Sequence, residues 1–159
     1  MKKRKLLLFG GMTIVLLLAV GWSFGNMKLY DYDKTIVIEQ AKDLSFQSKL
    51  PTKVPFDDMA VSNSMVKPDK EGMTVTISNI PNKEHLDIVI SKEIPEIKGK
   101  NERVEIGQGI EGQFISDYSG KRSLVWQENN VNYQIIYYYK FTPKEVSKSK
   151  FIKIAESFE

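Results

Sequence analysis

From Leu6 to Phe24 the chain reads LLLFGGMTIVLLLAVGWSF, nineteen residues without a charge, directly after the basic start Met1-Lys2-Lys3-Arg4-Lys5. At the helical rise such a run reaches about 28 Å, close to the hydrocarbon thickness of a bilayer. The remainder of the chain must fold as a separate unit, because a span of this kind contributes nothing to a water-soluble core. A cleaved secretory signal shares the basic start but has a shorter apolar core and a small-x-small cleavage site. Here the core is long and Ser23-Phe24-Gly25 is the only cleavage candidate, while Trp22 and Phe24 suit a helix end at the membrane interface. An uncleaved anchor is therefore the expectation, with a cleaved signal and burial inside a protein as the alternatives. Basic residues before the span predict a cytoplasmic N-terminus and a C-terminal domain outside. The expected division is a basic tail and anchor over 1–25, a connector over 26–34 and one extracytoplasmic α+β domain over 35–159.

Charge agrees with this division and removes one class of function. Of 23 Lys and Arg, four precede the span, leaving 19 against 20 acidic residues, so the domain is near −1. The overall +3 belongs to the topology signal and not to a nucleic-acid surface. Without cysteine, neither lipoprotein attachment nor a disulfide framework is open to it.

After the connector, Ile36, Ile38, Ala41, Leu44 and Phe46 recur in a spacing that predicts a short helix over 35–47. The β-branched run Thr35–Ile38 keeps a strand start open as the competitor. Pro51 and Pro55 then force an extended path. From residue 57 the pattern changes to alternation. Met73–Ile80 places Met73, Val75 and Ile77 on one face, and His85–Ser91 places Leu86, Ile88 and Ile90 inward. Further strands are predicted at about 102–107, 112–118, 121–128 and 131–141, separated by Lys70-Glu71-Gly72, Pro81-Asn82-Lys83, Ser119-Gly120 and Asn129-Asn130. Connections this short favour antiparallel meanders. At the end, Thr142-Pro143-Lys144-Glu145 has the form of an N-cap, a first-position proline and a capping-box carboxylate. Val146, Phe151, Ile154, Ala155 and Phe158 give the ensuing helix an apolar stripe for packing on the sheet. The fold class expected is α+β: a transmembrane helix, then an antiparallel sheet with a C-terminal helix packed on it.

No catalytic or metal constellation emerges. Gly107-Gln-Gly109-Ile-Glu-Gly112 matches the letters of a dinucleotide fingerprint, but that motif needs a helix after it. The next residues, Gln113–Tyr118, alternate as a strand, so a hairpin turn is the better account. His85 is the only histidine, which rules out a histidine-based metal cluster and leaves no choice of base. Nothing fixes the separation of a carboxylate pair such as Asp57 and Asp58. No cofactor is expected. The suggestive stretch is Tyr133–Phe141, YQIIYYYKF, where alternation sends Tyr133, Ile135, Tyr137 and Tyr139 to one face. The other face exposes Ile136 and Tyr138, and with Trp126 of the preceding strand these form the candidate partner or ligand surface. Aromatic β-formers serving only a sheet are the plainer reading of the same residues.

Leu50-Pro51-Thr52-Lys53-Val54-Pro55, then Val104-Glu105-Ile106 with Gly109 and Gly112, then Leu124-Val125-Trp126, Tyr133 and Ile152–Ser157 together resemble an extracytoplasmic family, domain-of-unknown-function four-three-six-seven. The resemblance covers roughly residues 45–158 and rests on the order and spacing of these segments. It departs at Phe56-Asp57 and at Asn129-Asn130, where the family favours glycine; asparagine tolerates the left-handed geometry. It implies a Gram-positive, membrane-associated domain, found behind a membrane helix or beside sigma-factor regulators. It also implies a distant likeness to the lipoprotein-carrier and RseB-type sensor folds, in which an antiparallel sheet wraps helices. No catalytic residue comes with it. The expected function is a tethered binding or sensing module at the cell membrane, accessory to another envelope protein. A lipid or lipopeptide carrier is the alternative, and a hydrolase has the least support.

Overall fold

A computed structural model describes residues 27–159. The span read at 6–24 lies outside the described residues, and among those described no helix is long and apolar enough to cross a membrane. The chain runs through helix α1 (Thr35–Ala41), strands β1 (Ala60–Val66), β2 (Gly72–Asn79), β3 (Glu84–Ser91), β4 (Asn101–Ile106), β5 (Ile110–Tyr118), β6 (Lys121–Glu128) and β7 (Val131–Tyr137), then helix α2 (Lys148–Glu156). This is an α+β fold on a seven-stranded antiparallel sheet of order β1-β2-β3-β7-β6-β5-β4.

Two local meanders make up that order, β1–β3 and β4–β7. Their tight turns carry the residues expected to break the strands. Lys70, Lys83, Ser119, Asn129 and Asn130 take positive φ, as do Gly107 and Gly109 between β4 and β5. Gly112 has a different role: it lies in β5, where a Cβ would come within 2.8 Å of the Ile106 side chain. The glycine triplet thus serves a hairpin and its packing.

The meanders join where β3 pairs with β7, from Leu86 opposite Tyr137 to Ser91 opposite Asn132. One face of the joined sheet carries Met73, Val75, Ile77, Leu86, Ile88, Ile90, Leu124, Ile135 and Tyr137, all essentially inaccessible. Helix α2 covers this face near β4 and β6, and α1 covers it near β1. Between them runs the proline-bounded segment, whose Leu50, Val54, Phe56 and Met59 enter the same core. That segment is tied to both ends of the domain. Leu50 exchanges backbone hydrogen bonds with Glu159, and Val54 exchanges them with Tyr30.

The connection from β3 to β4 must cross three strands, and it takes the other face. Asn132 Nδ2 donates to the Lys92 carbonyl at 3.2 Å. Ile94, Pro95 and Ile97 border a cavity of about 300 Å³ over Val125, Gln127 and Asn132. Gly99 packs against Ile115 and the Asp117 carbonyl. Val125 and Ile115 are consequently buried although they point away from the helices.

Two expectations need correction. Helix α1 stops at Ala41 rather than near 47; Asp43 and Leu44 donate to carbonyls three residues back and close a turn. Helix α2 starts at Lys148, with Ser147 as its N-cap accepting from the Lys150 amide, so Thr142 is no cap. Packing overrides the capping-box pattern here. The chain needs residues 138–147 to pass from the end of β7 to the core, held by the Tyr137 hydroxyl donating to the Lys144 carbonyl. Val146 at N′ and Phe151 at N4, both wholly buried, then occupy the hydrophobic-staple positions that fix the entry. Strand β1 corresponds to none of the individual strands expected from the sequence.

Ile135 is wholly buried in the central strand, opposite Ile88 on one side and Leu124 on the other. Ile135→Ala is expected to cost about 3 kcal/mol in urea unfolding. Ile94→Ala, at a residue 81% exposed, should stay within about 0.5 kcal/mol. Similar losses for the two would mean that the inward face is assigned wrongly.

Candidate functional site

Strand β7 ends at Tyr137, short of the expected 141, and leaves Tyr139 half-buried beyond it; within the strand Tyr133, Ile135 and Tyr137 are buried as the alternation predicts, while Ile136 and the following Tyr138 lie half-buried on the opposite, outer face. Trp126 does not join them. It sits directly across from Tyr133 and shares its inward face. The two rings stack at 5.3 Å and 15°, and Phe158 meets the indole edge-on at 4.9 Å. With 3% of its surface exposed, Trp126 is a core residue and leaves the candidate surface.

The group that gathers around Tyr138 instead comes from three strands, β2, β3 and β6. Its hydroxyl donates to Asp87 Oδ2 at 2.6 Å, and Thr76 donates to Asp87 Oδ1 at 2.7 Å. His85 Nε2 lies 3.3 Å from the same oxygen, and its ring meets the Tyr138 ring edge-on at 4.9 Å. Lys121 places its ammonium 4.9 Å from the Tyr138 ring centroid, within cation–π range. The register explains the convergence. Thr76 faces Asp87 across β2–β3, and Asp87 faces Ile136 across β3–β7. Burial, and then the neighbouring carboxylate, push the Tyr138 phenol above its ordinary range, so it stays a protonated donor.

Asp87 is therefore already held by several polar neighbours, and the tyrosine is fixed at both its hydroxyl and its face. The chemistry this arrangement offers is recognition: an oriented aromatic ring beside the half-buried Ile136 and an ammonium. His85 and Asp87 form a pair, yet it lies on an open sheet surface, with the His85 side chain 40% exposed. Ser78, its cross-strand neighbour, makes no hydrogen bond to it among the described residues. A nucleophile–base arrangement needs that contact. Among the described residues no group of three or more acidic or histidine side chains could hold a metal ion.

His85, Asp87, Thr76 and Lys121 are not marked by the sequence as a binding group. Alternation does place the first three on the outer face, and the short hairpin fixes their register. The proximity of Tyr138 requires the pairing of β3 with β7, which no local signal carries. On the helix side, an open groove of about 650 Å³ runs between α1 and the 44–50 segment, with Ile38, Leu44, Phe46 and Leu50 on its walls. No family model, curated protein or solved structure matches this chain.

Tyr137 and Tyr138 both hold their protons above the ordinary phenol value, Tyr137 up to about 12 through burial. An acid raised in this way contributes stability that is fully present below its unfolded pKa and is lost as pH rises through the folded one. The urea midpoint is expected to decline from about pH 10 upward. Tyr138→Phe should decline less steeply than the unmutated chain. Parallel pH profiles for the two proteins would mean that the hydroxyl is not held by Asp87.

Proposed function

We propose that this chain is a membrane-anchored extracytoplasmic binding module, accessory to another envelope protein, that recognises a protein partner through the outer sheet face around Tyr138. The observation that carries the reading is the immobilised tyrosine: Asp87 holds its hydroxyl, Lys121 covers its ring and Ile136 lies beside it. A rigid aromatic with a polar tip buries contact area at little entropic cost, a property that favours tyrosine at recognition surfaces. The crossover covers the β5–β6 part of this face and stops short of Tyr138, so the patch is accessible. The uncharged run 6–24 behind a basic tail supports anchoring with the domain outside.

A second reading, lipid or lipopeptide binding, is favoured by the apolar groove beside α1, where Ile38 is 40% exposed. The two readings separate in one experiment. A photo-cross-linking side chain at position 138 is expected to capture a discrete protein in native membranes, and the same group at the exposed position 153 is expected not to. Tyr138→Ala should weaken that association while leaving the melting transition cooperative. Lipid adducts from position 38, with no protein adduct from 138, would replace the first reading with the second.

A further inference from the structure

The first turn of α2 contains no acidic residue, and lysines stand at positions 148 and 150. Helix starts favour negative charge, because their amides lack intrahelical acceptors and the macrodipole is positive there. Lysines in this turn therefore cost stability unless something else gains from them. Lys148 is answered by Glu102 at 2.7 Å. Lys150, a residue more than nine-tenths buried, makes no salt bridge within 4 Å among the described residues, and the Glu84 carboxylate acts on it only through space. Its ammonium lies 5.3 Å from the Phe56 ring centroid. Lys144 lies at the same distance from that ring and is spent on the wholly buried Glu84, at 2.5 Å. Lys150 borders a pocket of about 400 Å³ whose apolar walls are Tyr30, Pro55 and Phe56. Two carboxylates stand at the same pocket, Asp57 and Glu145, and Glu145 is held by Arg122 at 2.7 Å.

We propose that this pocket is a binding site for a phosphate group, held by the Lys150 ammonium and the Ser147 hydroxyl at the start of α2. Ser147 Oγ accepts from the Lys150 amide, so its proton remains available to donate. The pocket is several times larger than phosphate alone, so the phosphate is carried by a larger molecule whose apolar part lies on Phe56 and Tyr30. Such a group occurs on a soluble phosphomonoester and on a phospholipid headgroup.

The test uses the full chain in non-ionic detergent, with chloride matching the ionic strength. Inorganic phosphate, glycerol 3-phosphate and a short-chain phosphatidylglycerol are each titrated while the melting temperature is read. A ligand that binds only the folded state raises this temperature progressively with its concentration. A rise with the soluble phosphates assigns the first source, and a rise confined to phosphatidylglycerol assigns the headgroup. Either supports the site if Lys150→Met weakens the apparent affinity by about tenfold or more. Burial holds the Lys150 ammonium below the usual lysine value, so its charged form opposes folding at neutral pH. Lys150→Met is therefore expected to melt no lower than the unmutated chain in chloride alone. In the unmutated protein, the Ser147 and Lys150 amide resonances should move with the titration. No rise with any of the three probes, a rise that Lys150→Met retains, or shifts that spare those amides would overturn the proposal.

Discussion

The pairing of β3 with β7 is the interaction on which the rest of this domain depends. Each meander can form locally, since its hairpins close over a few residues. Neither meander is complete alone. Without the other, β3 would expose Leu86, Ile88 and Ile90, and β7 would expose Tyr133, Ile135 and Tyr137, along unpaired backbone. Edges of that kind recruit other chains. Joining them requires chain separated by about fifty residues to meet, a loop-closure cost recovered only when the central ladder and the core beneath it form together. The outermost strands manage their edges differently. Strand β4 carries Glu102, Arg103 and Glu105, while β1 is irregular between Val61 and Asn63.

That seam also dictates what is left exposed. With β3 beside β7, the path to β4 must traverse three strands, and the helix side is already filled by α2 and the 50–59 segment. The crossover therefore lies on the outer face, burying Val125 and Ile115. The outer face is divided as a result. Its β5–β6 portion becomes a second, smaller packed layer, and its β2–β3–β7 portion remains open with Asp87 at the centre. The proposed binding surface is thus a consequence of topology as much as of the residues that form it.

Much of this is legible in the residues alone, for identifiable reasons. Strands β2, β3 and β7 alternate strongly, and the turns beside them take positive φ, so periodicity and punctuation agree. Strand β1, AVSNSMV, contains Ser and Asn where β-formers are the usual signal, and it is held by its neighbour more than by its own propensity. The start of α2 departs from the local signal because Thr142–Glu145 is a sound capping pattern that core packing of Val146 outweighs. The placement of Trp126 is within reach of the sequence. A two-residue turn at Asn129-Asn130 sets Glu128 against Val131, and counting outward puts Trp126 opposite Tyr133. The same count brings Lys121 level with Tyr138, where its ammonium is found. The seam itself is out of reach, because nothing local distinguishes β3–β7 pairing from other orders of the same seven strands.

The period of two along a strand gives the two proposed sites a common origin. At the end of the seam, Glu84 points inward and His85 outward; one strand over, Tyr137 points inward and Tyr138 outward. Glu84 and Tyr137 hold the Lys144 segment that leads into α2 and the Lys150 pocket. His85 and Tyr138 meet at Asp87 on the opposite side. The outer cluster is internally satisfied, as the proposed recognition surface requires, whereas the inner one leaves the Lys150 ammonium without a salt bridge among the described residues. Consecutive residues therefore serve opposite faces, and the sheet backbone with the buried Glu84 and Tyr137 side chains lies between the two sites. A ligand on the inner side that tightens the Lys144 segment would act on Tyr137, the immediate neighbour of Tyr138, so coupling between the sites needs no motion larger than an adjustment of the end of β7.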